Sequence, residues 1–473
     1  MGISQAQTTQ AHTTPEIKIA PLVAVLISGA FAAILNQTLL ATALPHIMAD
    51  LSITANTAQW LTTIFMLVNG VMIPITAFLI GRFTTRSLFL TAMALFATGT
   101  LICAVAPNFS LLMVGRIVQA SGAGIIMPLM QTVFFVIFPV EKRGSAMGLF
   151  GLVIAFAPAI GPTLSGWLVD QYPWRVLFYI VLPIAIIDFI VAYFILKNVT
   201  ERTFPKLDIL SIVLSTFGFG GLLYGFSTAG THGWGSVEVM IPILIGVASL
   251  FIFIMRQLKL EQPILEFRVF KYGIFTLSTA LGMMVFIAMI GGATILPIYM
   301  QNMHHFTAFE SGLMLLPGAL IMGIMSPISG KIFDKVGAKW LAITGLTIVT
   351  VSTFFFTNLS SDTSFTFMAI VNAIRMFGVA LVMMPTTTAG INQLPSRLIP
   401  HGTAMNNTMR QVSGSIGTAL LVTVMTNNVR DPQTYGMEGI IHGVNVSFIV
   451  AGVVSGLGII LAFFLRKTSP AEE

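Results

Sequence analysis

Charged residues are scarce in this chain of 473 residues. Only 8% are Asp, Glu, Lys or Arg, whereas 56% are hydrophobic. Soluble domains are usually about a quarter charged, so this composition does not supply an ordinary water-exposed surface. We expect lipid to solvate most of the chain.

The chain also has almost no cysteine and no nucleotide-binding loop. Cys103 is the single cysteine, which excludes an internal disulfide and a thiolate metal cluster. No G-x-x-x-x-G-K-[ST] loop occurs, no soluble segment is large enough for an ATPase, and metal-ligating residues are not clustered. We therefore expect no enzyme, no metal site and no cofactor, with an ion gradient as the source of energy. The net charge of +6 does not indicate nucleic-acid binding, because the basic residues are spread over many short connections.

The N-terminal stretch lacks the features of a signal peptide. Residues 1–18, MGISQAQTTQAHTTPEIK, have no basic n-region, and no A-x-A-like cleavage site follows the first apolar run. We expect a short polar tail here.

Long apolar runs fill most of the remaining chain. A helix that spans a bilayer needs about 20 mainly apolar residues. Fourteen segments qualify: 20–45, 56–80, 87–106, 110–137, 146–169, 176–197, 209–229, 237–256, 273–300, 311–330, 340–358, 364–390, 401–426 and 443–465. The count would fall to twelve if 209–229 and 237–256 formed one re-entrant hairpin. Because both are of full length, we expect an all-α integral membrane protein with fourteen transmembrane helices.

Basic residues are distributed unequally between the connections. With the N-terminus placed inside, 18 of the 23 lysines and arginines lie in inner segments, and only Arg175 and Arg430 lie in outer ones. Connections rich in Lys and Arg stay in the cytoplasm. We therefore expect a multi-pass protein of the plasma membrane with both termini in the cytoplasm.

The two halves of the chain repeat one another. GRFTTR (81–86) follows the second span and GKIFDKVGAK (330–339) follows the tenth, while Arg116 and Arg375 are each followed by a Met-Pro pair. Two six-helix bundles with spans 7 and 8 inserted between them explain this pairing, and such transporters place their site between the halves. The expected domains are a tail at 1–18, a bundle at 19–200, two inserted helices with linkers at 201–258, a bundle at 259–466 and a tail at 467–473.

Span 5 combines a membrane-spanning length with two interior prolines. Proline removes a helix hydrogen bond, but neighbouring helices can satisfy the freed carbonyls inside a membrane. Two series recur every fourth residue, Ala157, Gly161 and Ser165 in one and Pro158, Pro162 and Gly166 in the other. One side of this helix therefore carries little side-chain bulk and allows close packing. We predict a hinge at Pro158, Gly161, Pro162 and Gly166.

Motifs spread over nearly the whole chain resemble the major facilitator superfamily, specifically its fourteen-span drug:proton antiporters. APAIGPTLSGWL (157–168) is similar to the family's antiporter motif, RIVQASGAG (116–124) to the span-4 motif whose arginine is tied to proton coupling, and GKIFDKVGAK (330–339) to the inner-loop motif. NQTLLATALP (36–45), WRVLF (174–178), PIYMQ (297–301) and RQ (410–411) also resemble this family. Within it, the chain is most similar to lincomycin-resistance-type exporters of Gram-positive bacteria.

The resemblance implies the superfamily's fold and a gate at the inner loops. The residues it assigns to this gate are Arg82, Arg86, Gly330, Asp334, Lys335 and Gly337. Asp334 is expected to join a charge network with nearby lysines and arginines.

Three positions depart from the family pattern. Asn36 stands where the span-1 motif usually carries a proton-binding acid, Thr85 stands where the first inner-loop motif has Asp, and Ala120 replaces a glycine. The first departure leaves the identity of the proton carrier open. The second predicts weaker gating contacts at the first inner loop.

Ionisable residues inside spans are functional candidates because they are costly in hydrocarbon. Asp188 is the one acid that lies clearly within a span, and burial favours the neutral form of a carboxylic acid, which suits reversible protonation. The alternatives are a structural Asp bonded to a neighbouring hydroxyl or amide, and an Asp that faces a cytoplasmic vestibule. Glu310, at the outer mouth, is the second proton-coupling candidate, with stabilisation of a helix N-terminus as its alternative role.

Three arginines also lie within spans. The resemblance links Arg116 to proton coupling, with snorkelling to the interface as the alternative. Arg116 and Asp188 lie about 10 and 18 Å below the outer face at 1.5 Å per residue, so we do not expect a direct pair. Arg375 corresponds to Arg116 in the repeat. Arg410 is predicted either to balance charge in the inner cavity or to serve helix packing.

Polar residues on spans 1, 2 and 4 are candidates for a substrate cavity together with Arg375 and Arg410. The set comprises Asn36, Gln37, Gln59, Trp60, Asn69, Gln119 and Gln131. Several of these side chains would instead make interhelical hydrogen bonds. The 27 methionines suit an adaptable apolar site.

These features favour proton-coupled efflux of amphipathic or hydrophobic drugs by alternating access. The expected partners are small-molecule drugs or metabolites, protons and the lipid bilayer, with no nucleic acid and no obligate protein partner. Two alternatives stay open: a proton-coupled exporter of one metabolite, and a transport-inactive membrane sensor, suggested by Asn36 and the shortened first loop.

Overall fold

A computed structural model describes residues 19–200 and 202–466; the expected tails at 1–18 and 467–473 lie outside the described residues. These ranges contain fourteen long helices and no strand. The helices are α1 Ile19–Leu51, α2 Ala55–Arg82, α3 Thr85–Val105, α4 Phe109–Ile137, α5 Arg143–Val169, α6 Val176–Ile195, α7 Ile209–His232, α8 Val237–Lys259, α9 Gly273–Met303, α10 Ala308–Val336, α11 Ala338–Phe355, α12 Phe365–Ile391, α13 Ile399–Asn427 and α14 Pro432–Ala462. The predicted all-α class is confirmed.

Polar side chains cap several helix starts. At the start of five helices, a side-chain oxygen accepts a hydrogen bond from the backbone N–H three residues ahead. These caps are Thr54 for α2, Thr84 for α3, Asn108 for α4, Asp208 for α7 and Ser364 for α12. Such a bond satisfies one of the N–H groups that a helix leaves unpaired at its first turn. Short polar connections therefore separate the long apolar helices.

Helix α13 differs from the other long helices in composition. Thirteen helices of the described ranges are long and apolar enough to cross a membrane. Helix α13 is 29 residues long, yet its first half reads IPHGTAMNNTMRQ, and the expectation of an apolar span at 401–426 was wrong in this respect. The polar side chains are tolerated because α13 packs against α2, α4, α7, α9 and α14, so protein rather than lipid surrounds it.

The inserted helices α7 and α8 are two separate elements of full length. They contain 24 and 23 residues, which corresponds to about 35 Å each. They pack closely at glycines: a Cβ atom on Gly221 would lie 2.6 Å from the Pro242 carbonyl oxygen. This geometry argues against the re-entrant hairpin and the twelve-span count.

Helix α14 begins eleven residues before its predicted start at 443. Asp431 caps it, and Gly436 bends it with a φ of +57°, a left-handed value that glycine adopts without steric cost. The apolar run alone marks only the part after this bend. The polar first turns of α14 begin at the cap formed by Asp431. A hydropathy pattern does not detect such a cap.

The helices form two bundles of six. Helices α1–α6 pack against one another, α9–α14 do likewise, and α7 lies against α2 and α13. The bundles meet where α5 crosses α10 and α12 and where α13 crosses α2 and α4. We call the end where α1 begins and α14 ends the termini face, and the opposite end the far face.

Candidate transport pathway

The small-residue side of α5, for which the sequence predicted close packing without naming a partner, lies against α1. A Cβ atom on Gly161 would lie 2.1 Å from Thr38 Oγ1, and Thr38 donates to the Ala157 carbonyl at 3.4 Å. Ser165 donates to the Leu39 carbonyl at 2.5 Å. Close approach of the two backbones therefore depends on the absence of bulk at these positions.

The prolines of α5 lie within one continuous helix, Arg143–Val169. Pro162 faces α10, since a Cβ atom on Gly312 would lie 3.9 Å from Pro162 Cβ, whereas Gly166 has open space beside it. Pro158 is exposed. The prolines thus remove hydrogen bonds without ending the helix, and the hinge stays a prediction.

Asp334 of α10 joins the two bundles at the termini face. Its carboxylate accepts hydrogen bonds from the backbone N–H groups of Gly144 at 2.8 Å and Ser145 at 2.9 Å, and from the Ser145 hydroxyl. These are N–H groups of the first turn of α5, where the helix dipole favours a negative charge. The expected charge network was wrong: Asp334 makes no ion pair in the described ranges, because the helix end supplies its partners instead.

Gly330 allows this contact. A Cβ atom there would lie 2.1 Å from the Gly144 carbonyl oxygen, so a side chain would separate α10 from α5. Gly337, with a φ of +79°, connects α10 to α11, and Lys335 is exposed.

Three more helices extend the junction near the termini face. Thr132 and Thr403 share a hydrogen bond of 2.7 Å, and Asn407 donates to Gln131 at 2.6 Å. Arg143 donates to Asn392 Oδ1 at 3.1 Å. Together with Asp334, these bonds connect α4 and α5 to α10, α12 and α13 and close the space between the bundles on this side.

The first inner loop contacts its own bundle and the linker that leads to α7. Thr85 bonds to Thr200 at 2.7 Å, Arg86 donates to the Tyr193 carbonyl at 2.6 Å and stacks on its ring, and Arg82 lies over Phe204. With Thr at position 85 in place of Asp, this loop makes no contact like that of Asp334. The two inner loops of the repeat therefore differ in their contacts. Asp334 bonds to the other bundle, whereas Thr85 bonds to Thr200 of its own bundle.

Arg116 is fully buried and has no acidic partner among the described residues. Its Nε donates to the Leu61 carbonyl at 3.1 Å, its Nη1 donates to Gln119 Oε1 at 2.8 Å, and the guanidinium stacks 4.2 Å from the Phe65 ring. Gln119 in turn donates to Thr100 at 2.7 Å. Gln119 therefore orients Arg116 between α2, α3 and α4 and is not free to line a cavity.

Arg375 is held in a similar way in the other bundle. Its Nη1 donates to the Ala288 carbonyl at 3.1 Å and its Nη2 to Asn372 Oδ1 at 3.0 Å. Gly292 makes room for it, since a Cβ atom there would lie 1.9 Å from Nη2. The two repeat-related arginines thus share the pattern of one carbonyl and one side-chain amide, although Arg116 is anchored to α2 and Arg375 to α9.

Arg410 lies in the middle of α13 and lacks such partners. It is 6% exposed, and neither Nε nor Nη1 has a hydrogen-bond partner among the described residues. Its contact with the Phe286 ring, at 5.3 Å, is a cation–π interaction. Asn406, one turn earlier, is also buried and has an unpartnered Oδ1.

Asp188 lies between α6, α1 and α3. It is 4% exposed, its Oδ2 atom has no partner among the described residues, and Ser28 is its hydrogen-bonding neighbour. A Cβ atom on Gly29 would lie 2.9 Å from Oδ2. Asp188 and Arg116 are not paired, as expected from their depths.

Glu310 occupies a helix cap. Its carboxylate accepts from the Thr307 N–H at 2.7 Å and the Thr307 hydroxyl at 2.9 Å, and Thr307 accepts from the Glu310 N–H. This reciprocal capping box corresponds to the alternative role given above, so Glu310 is not part of the proton pathway that we propose.

The remaining cavity candidates differ in burial and contacts, and their role in a cavity stays a prediction. Asn36 is buried with an unpartnered Nδ2, Gln37 and Asn69 are half-buried, and Gln59 is exposed. Trp60 stacks on Tyr224 of the inserted helix α7 at 5.5 Å. Sequence analysis missed Asn392, Thr403, Asn406 and Asn407, although the polar run at the start of α13 contained a usable signal.

A family model matches most of the chain. The Major Facilitator Superfamily model covers residues 26–418. Among curated proteins, the chain is 58% identical over 454 residues to the uncharacterized MFS-type transporter YcnB of Bacillus subtilis (strain 168), with 96% of each chain covered. It is 41% identical over 470 residues to the lincomycin resistance protein LmrB of the same organism, with 97% of this chain and 98% of that one covered.

A solved structure shows the same fold. The human organic anion transporter MFSD10 (TETRAN) superposes with a TM-score of 0.69 at 13% identity, covering 94% of this chain and 100% of that chain. The predicted fold class, with two six-helix bundles and two inserted helices, is confirmed, while the domain boundaries at 200/201 and 258/259 stay predictions. Together with the bacterial relatives, the long apolar helices identify a multi-pass membrane protein.

Proposed function

This chain belongs to the major facilitator superfamily of transporters, and on that premise we propose that it exports amphipathic small molecules in exchange for protons by alternating access. The observation that carries this proposal is the junction between the bundles near the termini face. Asp334, Gln131, Thr132 and Arg143 form its hydrogen bonds. Bonds of this kind break and re-form at modest free-energy cost, as a gate between two packed bundles requires.

We assign the termini face to the cytoplasm. The connections on this face are basic: in or beside them lie Arg82, Lys142, Lys206, Lys339 and Arg466. Basic connections stay in the cytoplasm. The described conformation is then closed toward the cytoplasm. Opening of the Asp334 junction would admit a substrate from the cytoplasm.

Asp188 is the residue that we propose as the proton carrier. A buried carboxylate without an ion-pair partner among the described residues is costly in its charged form, so proton binding would change how α6 packs against Ser28 and Gly29 of α1. Helix α1 also contacts the hinge helix through Thr38, ten residues or about 15 Å further along α1. Protonation at Asp188 would thereby reach the proline-containing part of α5.

Efflux from proteoliposomes under an imposed pH gradient tests this proposal. Lincomycin is a suitable first substrate, since a relative with 41% identity is named as a lincomycin resistance protein, and ethidium provides a fluorescent comparison. We expect gradient-driven export by the wild type, its loss in Asp188→Asn, and its retention in Asp170→Asn, which alters an exposed acid at the end of α5.

The outcomes separate the alternatives. Gradient-driven export that survives in Asp188→Asn would remove Asp188 as carrier while leaving the exporter intact. Export of a single compound from a chemically diverse panel would favour a specific metabolite exporter. A wild type that moves nothing with or without a gradient would contradict the proposed function and favour the sensor.

A further inference from the structure

Arg410 differs from the other buried arginines in having no hydrogen-bond acceptor among the described residues. Arg116 and Arg375 each donate to a backbone carbonyl and to a side-chain amide. Arg410 has two unpartnered nitrogens, Nε and Nη1, whereas the other two arginines have one each. It is also the most accessible of the three, at 6% against 0% and 1%.

No protein carboxylate neutralises this charge in the described ranges. The ion pairs there are Arg175–Asp50, Arg256–Asp208 and Arg268–Glu266, all at helix ends or in connections. Asp188, the buried acid of the first bundle, contacts α1 and α3 instead. A buried guanidinium without an acceptor is costly, and a contact with Phe286 offsets that cost only in part.

Arg410 lies directly beyond the closed junction. Asn407, which bonds to Gln131 of α4, precedes it by three residues and Asn406 by four, so these side chains share one side of α13. At 1.5 Å per residue, Arg410 is about 4.5 Å further from the termini face than Asn407. The guanidinium is therefore next to the point where the two bundles separate during alternating access.

We propose that Arg410 is the subsite for a negatively charged group of the transported molecule, such as a carboxylate or a phosphate. This inference rests on the proposed function and names one class among its substrates: amphipathic compounds with an acidic group. A guanidinium binds such groups through its N–H donors, and two donor nitrogens of Arg410, Nε and Nη1, have no hydrogen-bond partner among the described residues. The Phe286 ring at its side would pack against the apolar part of the same molecule.

Two dyes with the same xanthene skeleton and opposite charge test the subsite. Fluorescein carries a free carboxylate, whereas rhodamine 123 is a cationic ester. Their equilibrium dissociation constants for the purified full-length protein are measured by fluorescence anisotropy without a pH gradient. Binding in this assay does not depend on proton coupling, so its result is distinguishable from failure of gradient-driven export.

The variants are Arg410→Gln, Arg410→Lys and the control Arg397→Gln, which removes an exposed arginine near the start of the same helix. We expect Arg410→Gln to raise the dissociation constant for fluorescein about tenfold or more, with a smaller rise in Arg410→Lys. Binding of rhodamine 123 is expected to stay unchanged, which also shows that the variants fold.

Three results would overturn the proposal. One is an equal rise in the dissociation constants for both dyes in Arg410→Gln, with neither value restored in Arg410→Lys. That result indicates a structural role for Arg410. Another is unchanged fluorescein binding in Arg410→Gln. The third is a wild type that does not bind fluorescein at all.

Discussion

Asp334 of α10 and Ser145 of α5 are joined by two hydrogen bonds, one from the Ser145 backbone N–H at 2.9 Å and one from its hydroxyl. The residues are 189 positions apart in the chain, and each belongs to a different bundle. A single carboxylate at a helix N-terminus thus connects the two units that, in the proposed mechanism, separate during transport. The matching position of the first inner loop, Thr85, bonds within its own bundle. Only one of the two repeat-related loops therefore connects the bundles in this way.

Asp334→Asn is expected to shift the protein toward opening at the termini face. The neutral amide loses the interaction with the start of α5, which contributes about 1 kcal/mol or more. Spin labels at the exposed positions Lys142 and Arg397 measure the separation of the bundles, and we expect a longer distance in the variant. Asp362→Asn, in an exposed connection on the far face, is the control; equal distances in all three proteins would contradict the gate.

Gly292→Ala is expected to displace Arg375. The added Cβ atom would lie 1.9 Å from Nη2, so the arginine must leave its two acceptors, at a cost of about 2–3 kcal/mol in the free energy of unfolding. Gly282→Ala is a matched control, because Gly282 is in the same helix with nothing within 4 Å of the new atom. Thermal unfolding and efflux check both variants, and equal melting temperatures would show that α9 adapts to the extra atom.

Pro162→Leu is expected to slow transport more than it weakens binding. Leucine restores the N–H that proline lacks, so the carbonyl of Pro158 regains its helix hydrogen bond and α5 stiffens. We expect the exchange rate to fall severalfold while the dissociation constant for a bound dye changes little. Pro242→Leu in the inserted helix α8 is the control, and an unaltered exchange rate for Pro162→Leu would remove the hinge.

Acid is expected to weaken the contact between Asp50 and Arg175. The hydrogen bonds from Arg175 and then Trp174 lower the pKa of Asp50 below its ordinary 3.8. The stabilisation is therefore complete above that ordinary value and is lost as the pH falls through the lower native one. Because the pair is partly exposed, its contribution is below about 1 kcal/mol.

Melting temperatures at about pH 7 and about pH 3 measure this effect in wild type and Asp50→Asn. The variant is expected to be slightly less stable at neutral pH and to show a smaller loss in acid. If the melting temperatures of the two proteins fall by the same amount in acid, the contact between Asp50 and Arg175 is not the source of that fall.

The number, type and order of the helices followed from the sequence alone. Lipid selects long apolar runs, and a helix is the structure in which such a run satisfies its own backbone, so local composition sufficed. The close packing of α5 was predictable for a similar reason, since small residues at every fourth position lie on one side of a helix. The polar start of α13 and the capped start of α14 were not, because neighbouring helices and a single cap decide them.

Which polar side chains meet was decided only by the tertiary structure. Asn407 bonds to Gln131 over a separation of 276 residues, and a sequence pattern specifies the side of each helix but not which helix will face it. The same reason explains why Asp334 binds a helix end rather than a lysine and why Gln119 holds Arg116. It also explains why the sequence did not show that Arg410, unlike Arg116 and Arg375, has two nitrogens without a hydrogen-bond partner among the described residues.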